Sequence, residues 1–503
     1  MFFRTYILAC LAFLFSVALA GPTVARPGGP QDIIITKENT LNSSATPYLS
    51  LAYSGTSRLT LSLVNNLNSN KVTAYVTGLD VKGQLVMLQP DGNWYYPTAG
   101  TSGIPQNITA NTAISLGAPG STTNVTLPGF LISGRVWFAD GSLSFFTVPG
   151  PSGPSLVQPS AANPSDPNAA TNWGFVELTN ISAGIYCNIS FVDFLGLPLG
   201  MTLTGVNGKQ SALGTTAAAV PGVCAKLIET SKGGAPWDEL CVNDEKGNVL
   251  RVLSPALHAA VDSSNFAKLF NGHVNKVWQR FATEPLMIDT QSSPGIVNCT
   301  VKNDIMTCGQ DSTTYAKPNG LDIFGCNSGP FLIRNGNPTH MAVVPRLCAA
   351  FNRATLLLPN GRKQPFNNPK RYYLSGPTNW YSKFVHDFEI DGRGYAFSYD
   401  DVSATGTEDL SGLLSDPVPS LLSITVGGPD SPVSPAKKAK NKAASVKTTT
   451  TTKKTKTTMV IKVKQTITTT KTKTVKKTTT ITTTTKKTTK SKKPKAPKTT
   501  GKA

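Results

Sequence analysis

Between about Ile33 and Gly200, short runs rich in β-branched and aromatic residues alternate with clusters of Gly, Asn, Pro and Ser. Thr60-Leu61-Ser62-Leu63-Val64 and Arg135-Val136-Trp137-Phe138 are two such runs. Residues of this kind suit the pleated, half-buried surface of a strand, and the clusters between them supply turns. Strands that follow one another so closely pair antiparallel, and their sheets close on each other as a sandwich or barrel. The fold class is therefore expected to be mainly β.

The texture changes between about Gln210 and Phe281. Phe266, Leu269, Phe270, Val274, Val277, Trp278 and Phe281 recur at steps of three and four, which predicts an amphipathic helix with Ser263 or Ser264 as its cap. Short β-like runs return from Met287 to about Val402. The expected organisation is a β body over about 33–205 and 287–416, with a mixed α/β, helix-rich lobe inserted over about 206–286. A chain that leaves a β body, builds a lobe and returns creates a cleft between the two. Residues 21–32 read as a flexible leader, and 417–503 as a disordered tail.

That tail holds most of the charge. From Lys437 onward there are 22 lysines and no Asp, Glu or Arg, so the remainder carries 26 basic residues against 28 acidic. The net +20 thus belongs to the tail, and the body is close to neutral. Lys and Thr with almost no large apolar side chains bury too little surface to offset ordering entropy. Two readings stay open: a solvated, O-glycosylated stalk, or an electrostatic tether to an anionic cell-wall polymer, whose grip salt weakens.

The N-terminus reads as an export signal over residues 1–20. Arg4 supplies the positive region, Tyr6–Leu19 is almost wholly apolar, and Ala18-Leu19-Ala20 offers small residues for cleavage. The apolar run is shorter than the ~20 residues that span a bilayer. A secreted protein, extracellular or held at the cell wall, is expected, with neither membrane nor nucleic acid as partner. Cysteine use agrees with an oxidising compartment. Sequence order suggests the bridges 224–241, 299–308 and 326–348, leaving Cys187 over. Sequons at Asn42, Asn107, Asn124, Asn180, Asn188 and Asn298 are compatible with export.

Chemistry narrows by elimination. His258, His273, His340 and His386 include no HxxxH pair, and no CxxC, GxSxG elbow or GxxxxGK[ST] loop occurs. Carboxylates and aromatics remain. Glu177 in Asn172–Thr179 and Asp193 in Cys187–Phe194 lie within otherwise apolar strands, where an unpaired charge is costly unless it has a use. Each could equally be a strand-end acid that meets water or an amide.

The run FFTVPGPSGPSLVQPSAANPSDPNAATNWGFVELT (145–179), followed by YCNISFVDFLGLPLG (186–200), resembles glycoside hydrolase family 64, the thaumatin-like β-1,3-glucanases. GCNSGPF (325–331), VVPRLCAAFNRATLL (343–357) and GYAFSYDD (394–401) extend the similarity over roughly residues 35–415. The resemblance implies a thaumatin-like β body with a mixed α/β lobe around a groove for β-1,3-glucan. It implies an inverting hydrolase with no metal or organic cofactor, here expected to act as a monomer. Glu177 matches the family's general acid, and Asp193, sixteen residues later, its general base. Thr179, Asn180, Tyr186 and Ser190 match positions of sugar contacts, and Asn188 lies among them.

An inverting pair stands ~6.5–9.5 Å apart, with a water between the base and the sugar. Were 180–184 a tight turn joining two straight strands, Glu177 would face Cys187, and Asp193, six residues further on, would lie ~20 Å away. A bend or bulge must intervene, and Gly196, Pro198 and Gly200 mark a break just after Asp193. Trp173, Tyr186 and the Trp94-Tyr95-Tyr96 patch are candidate sugar platforms, whereas Trp137 and Trp278 read as core. Asp400 and Asp401 are read either as acids of the cleft or as a solvated turn. Two rival readings remain: a glucan-binding protein that has lost hydrolysis, and a structural wall protein whose tail is the functional part.

Overall fold

Along Thr60–Asn65 every second residue points inward, so that Leu61, Leu63 and Asn65 are fully buried. This strand lies between Thr122–Thr126 and Pro419–Val426 in a five-stranded sheet, completed by Leu199–Gly205 and Gly208–Ala212. The computed structural model describes residues 21–37, 39–41, 58–333, 336–407 and 409–428. The export signal, the Asn42 sequon and the Lys/Thr tail lie outside the described residues.

The larger sheet has eight strands, and its centre is made by Val72–Leu79, Leu131–Asp140, Asn172–Ile181 and Gly184–Ile189. Val76, Val136 and Val176 align across it and join Leu63, Leu203, Leu422 and Ile424 of the first sheet in one buried cluster. A small sheet comprising Thr40–Leu41, Gly153–Val157, Phe146–Gly150 and Gln106–Asn107 is also present. The described body is mainly β, as expected.

Four expectations are corrected. Residues 21–32 are not a loose leader: Thr23–Val24 pairs parallel with Val242–Asn243, Ala25 is buried, and Arg26 and Gly28 donate their N–H groups to Pro164 and Ser165. The helix expected from Phe266 begins at Asn271 and runs to Phe281. Neither Ser263 nor Ser264 caps it, because Phe270 stands at the N-cap position, and the Ser264 hydroxyl donates to the Asp262 carboxylate at 2.7 Å. Helices continue beyond 287, at Gly320–Gly325, Pro338–Asn352 and Trp380–Phe388. Order does not fade at Pro417, since Pro419–Val426 is the central strand of the five-stranded sheet.

Disulfides join Cys224 to Cys241, Cys299 to Cys308, and Cys326 to Cys348, and Cys187 is free and buried.

Candidate active site

Strand alternation places Trp173, Phe175, Glu177 and Thr179 on one face of their strand, while Val176 and Leu178 turn to the core. Register then decides the neighbours. Arg135 stands opposite Glu177 on one side and Asn188 on the other, and Tyr186 stands opposite Thr179. These side chains line a groove of about 440 Å³, whose far wall includes Lys37, Thr40 and Leu41. Asn39 fixes that wall: its side-chain oxygen accepts from the Thr36 N–H at 2.8 Å, and its amide donates to the Ile34 carbonyl at 2.9 Å.

Arg135 organises the groove. Its guanidinium lies 4.3 Å from the Phe175 ring centroid, donates to Gln158 Oε1 at 2.9 Å, and donates to Glu177 Oε1 at 3.1 Å. Asn188 reaches the other Glu177 oxygen at 3.4 Å. Glu177 is part-exposed, with its side chain at 35%.

Asp193 comes to the same region by leaving the hairpin. The pairing is Glu177 with Asn188, and the strand stops at Ile189. Ser190 then bridges to Tyr395, the Phe191 N–H donates to the Tyr395 carbonyl at 2.7 Å, and Phe194–Leu195 joins Leu253–Val252. The chain next passes back over the Glu177 strand: the Leu197 N–H donates to the Trp173 carbonyl at 3.1 Å, and the Phe194 and Trp173 ring centroids are 4.4 Å apart. Only glycine fits at 196, where a Cβ would lie 2.0 Å from the Trp173 carbonyl oxygen. Asp193 therefore lines a narrow cavity with Arg135, Phe175, Asn39 and Leu257. Arg135 borders both this cavity and the groove that holds Glu177. The bend lies before Asp193, rather than after it.

Of the expected sugar contacts, Thr179, Tyr186 and Asn188 share the groove with Glu177. Trp173 is 2% exposed and packs against Trp137, Phe175 and Phe194, so it supports the site from below and offers no open platform. Asn180 is 1% exposed because its position in the strand alternation turns it inward. Ser190 is buried where its backbone meets Tyr395. The Trp94–Tyr95 strand is separated from the Glu177 strand by three others, and Tyr96 bonds to Asp80 at 3.4 Å. Trp137 and Trp278 are core.

Asp400 belongs to neither the groove nor a solvated turn. It is fully buried and paired with Arg353 at 2.9 Å and His386 at 3.1 Å. Burial pushes the Cys187 thiol up to about 12, which keeps it protonated and unreactive as a nucleophile. Among the described residues no cluster of three or more His, Cys, Asp or Glu could hold a metal ion. Sequence reasoning missed Arg135, Gln158 and Lys37. Arg135 was visible as a lone charge in an apolar run, but its pairing with the Glu177 strand was not.

A family model described as beta-1,3-glucanase, glycoside hydrolase 64, matches residues 57–426. Among curated proteins, a glucan endo-1,3-beta-glucosidase of Cellulosimicrobium cellulans is 28% identical over 281 residues, 54% of this chain and 49% of that protein. One of the same name from an Arthrobacter strain gives the same identity and coverage. The chain thus spans about half the length of the curated relatives it matches. Among solved structures, a laminaripentaose-producing beta-1,3-glucanase in complex with laminaritetraose superposes with a TM-score of 0.64 at 25% identity, covering 73% of this chain and 98% of the other. A beta-1,3-glucanase domain from Clostridium beijerinckii superposes with a TM-score of 0.57 at 23% identity, covering 73% of this chain and 98% of that one.

Proposed function

Since the chain belongs to glycoside hydrolase family 64, the β-1,3-glucanases, we propose that it is an exported enzyme that hydrolyses β-1,3-glucan to oligosaccharides with inversion. Glu177 protonates the leaving glycosidic oxygen, and Asp193 draws a proton from the attacking water on the opposite side of the sugar. Thr179, Tyr186 and Asn188 contact the sugars along the groove, and the body is of thaumatin-like type.

The observation that carries this reading is the shared border. Glu177 lines an open groove with Thr179, Tyr186 and Asn188, while Asp193 lines a second, narrower cavity that shares Arg135 with it. Arg135 lines both spaces and bonds to Glu177 in one of them, so residues of different strands bring the two carboxylates to adjoining spaces. Two carboxylates carried by different strands into adjoining spaces support the inverting reading, which needs room for a water between base and sugar.

The test is release of reducing ends from linear β-1,3-glucan. Wild-type protein should be active, and Glu177→Gln and Asp193→Asn should each lose roughly 10²–10⁴-fold in kcat. Proton NMR of the first products should show the α-anomer. Binding without hydrolysis by wild-type protein would leave only the glucan-binding alternative, and a β-anomer would overturn inversion.

A further inference from the structure

The turn that carries Asp193 is gripped from behind by groups that do not reach the groove. Tyr381 is fully buried in the helix Trp380–Phe388, and its hydroxyl donates to the Phe191 carbonyl at 2.6 Å. Phe191 is only two residues from Asp193, and its own N–H is held by the Tyr395 carbonyl at 2.7 Å. On the other side of the turn, the Asp193 carbonyl accepts the Ser254 N–H at 2.8 Å. Tyr381 thus supplies a side-chain donor to the backbone of the turn.

The helix behind it is fixed at both ends. Asn379 caps it, accepting the Ser382 N–H at 3.0 Å, and donates to the Asn352 side chain at 2.9 Å. At the other end His386 bonds to Glu389 at 2.7 Å and to Asp400 at 3.1 Å, and Asp400 is paired in turn with Arg353. The carboxylates that act on the Tyr381 phenol are Asp193 and Glu389. Burial above all, and these two carboxylates after it, hold the phenol well above its usual range, so it remains a neutral O–H donor at any working pH.

We propose that Tyr381 is a positioning residue for hydrolysis: its hydroxyl fixes the Ser190–Asp193 turn, and so sets where the Asp193 carboxylate stands relative to Glu177. The inference rests on Asp193 being the base. Tyr381 touches no sugar, so it acts through the turn alone. Base catalysis depends steeply on placement, and an error of ~1 Å costs about 10²-fold. Sugar binding depends on the groove side chains, which Tyr381 does not contact.

The test is Tyr381→Phe, assayed on linear β-1,3-glucan beside the wild type, Asp193→Asn and Ser382→Ala. Ser382 donates to the Ala396 carbonyl at 2.9 Å and ties the same helix without reaching the turn. All four proteins are compared well below the lowest of their melting midpoints, so that only folded protein is measured. The expected result is a kcat for Tyr381→Phe lower by roughly ten-fold or more, with KM nearly unchanged. Ser382→Ala should melt earlier but keep its kcat. An active wild type with Tyr381→Phe equal to it in kcat and KM overturns the positioning role and leaves the base assignment standing. An equal fall in Ser382→Ala also overturns it, by showing general loosening. Full activity in Asp193→Asn sinks the base assignment itself.

Discussion

Arg135 shows how one side chain can determine a site that a sequence only hints at. Its guanidinium is held flat over Phe175 and forks between Gln158 and Glu177. An ion pair this exposed adds little to stability, typically about 0–1 kcal/mol. Its value lies in orientation, since the fork fixes the direction of the Glu177 carboxylate. Arg135→Met leaves an unbranched apolar side chain beside Phe175 but removes the fork. It should lower kcat by up to about 10²-fold, while the melting midpoint, followed by circular dichroism, stays close to wild type. Both acids drew notice because acids in apolar strands stand out and the surrounding motifs are long, and each lines a space that Arg135 also borders. Trp173, Asn180 and Ser190 depart from expectation for separate reasons, since sequence matching gives neither strand face nor what packs over a residue, and Ser190 lies just past the end of its strand. Trp173 has the outward parity but is covered, and Asn180 has the inward parity.

Elements were readable where one face is wet. The helix Asn271–Phe281 buries His273, Val274, Val277, Trp278 and Phe281 on a single stripe, and its spacing betrayed it. The helix Pro338–Asn352 escaped notice because it buries Ala342, Val343, Val344, Leu347, Cys348, Ala349, Ala350, Phe351 and Asn352, which leaves almost no polar face to create a period. Pro345 inside it strengthened the impression of broken structure. The strand Pro419–Val426 was missed because it lies beside the low-complexity tail, yet Leu422, Ile424 and Val426 are fully buried. At about 1.5–3 kcal/mol for each buried aliphatic side chain, their loss approaches the whole stability of a typical domain. A chain ending at Gly428 should fold and hydrolyse glucan normally, whereas one ending at Pro417 should be insoluble or unfolded by circular dichroism. Within the helix Trp380–Phe388, His386 gives a pH signature. Burial works against its charge, but Glu389 and Asp400 prevail and lift its pKa to about 10. That is above the unfolded value of about 6.5, so the stabilisation is complete below pH ~6.5 and drains away as pH rises through about 10. Denaturant melts should show wild type losing more stability than His386→Gln across that window, with the variant the weaker of the two at pH 6.

At the scale of the whole molecule, charge divides the chain into two parts with different prospects. Residues up to 436 carry 26 basic against 28 acidic groups, so this part of the chain exerts little net field, and the proposed neutral substrate would be recognised by contact. The 22 lysines that follow Lys437, itself included, are spaced by Thr with no acid to compensate them. Any hold they exert on an anionic polymer is Coulombic and is screened over ~10 Å at 0.1 M salt and ~3 Å at 1 M. A tether of that kind raises the local concentration of enzyme at a wall without altering the chemistry, so retention and turnover should separate cleanly. Full-length protein should sediment with an insoluble anionic wall polysaccharide at low ionic strength and be released as salt is added. A chain ending at Gly428 should stay in the supernatant throughout, and both should hydrolyse soluble β-1,3-glucan with the same kcat and KM. Sedimentation that ignores salt, or is unchanged by the deletion, would favour the solvated stalk. A fall in turnover on the soluble substrate would give the lysines a part in the groove.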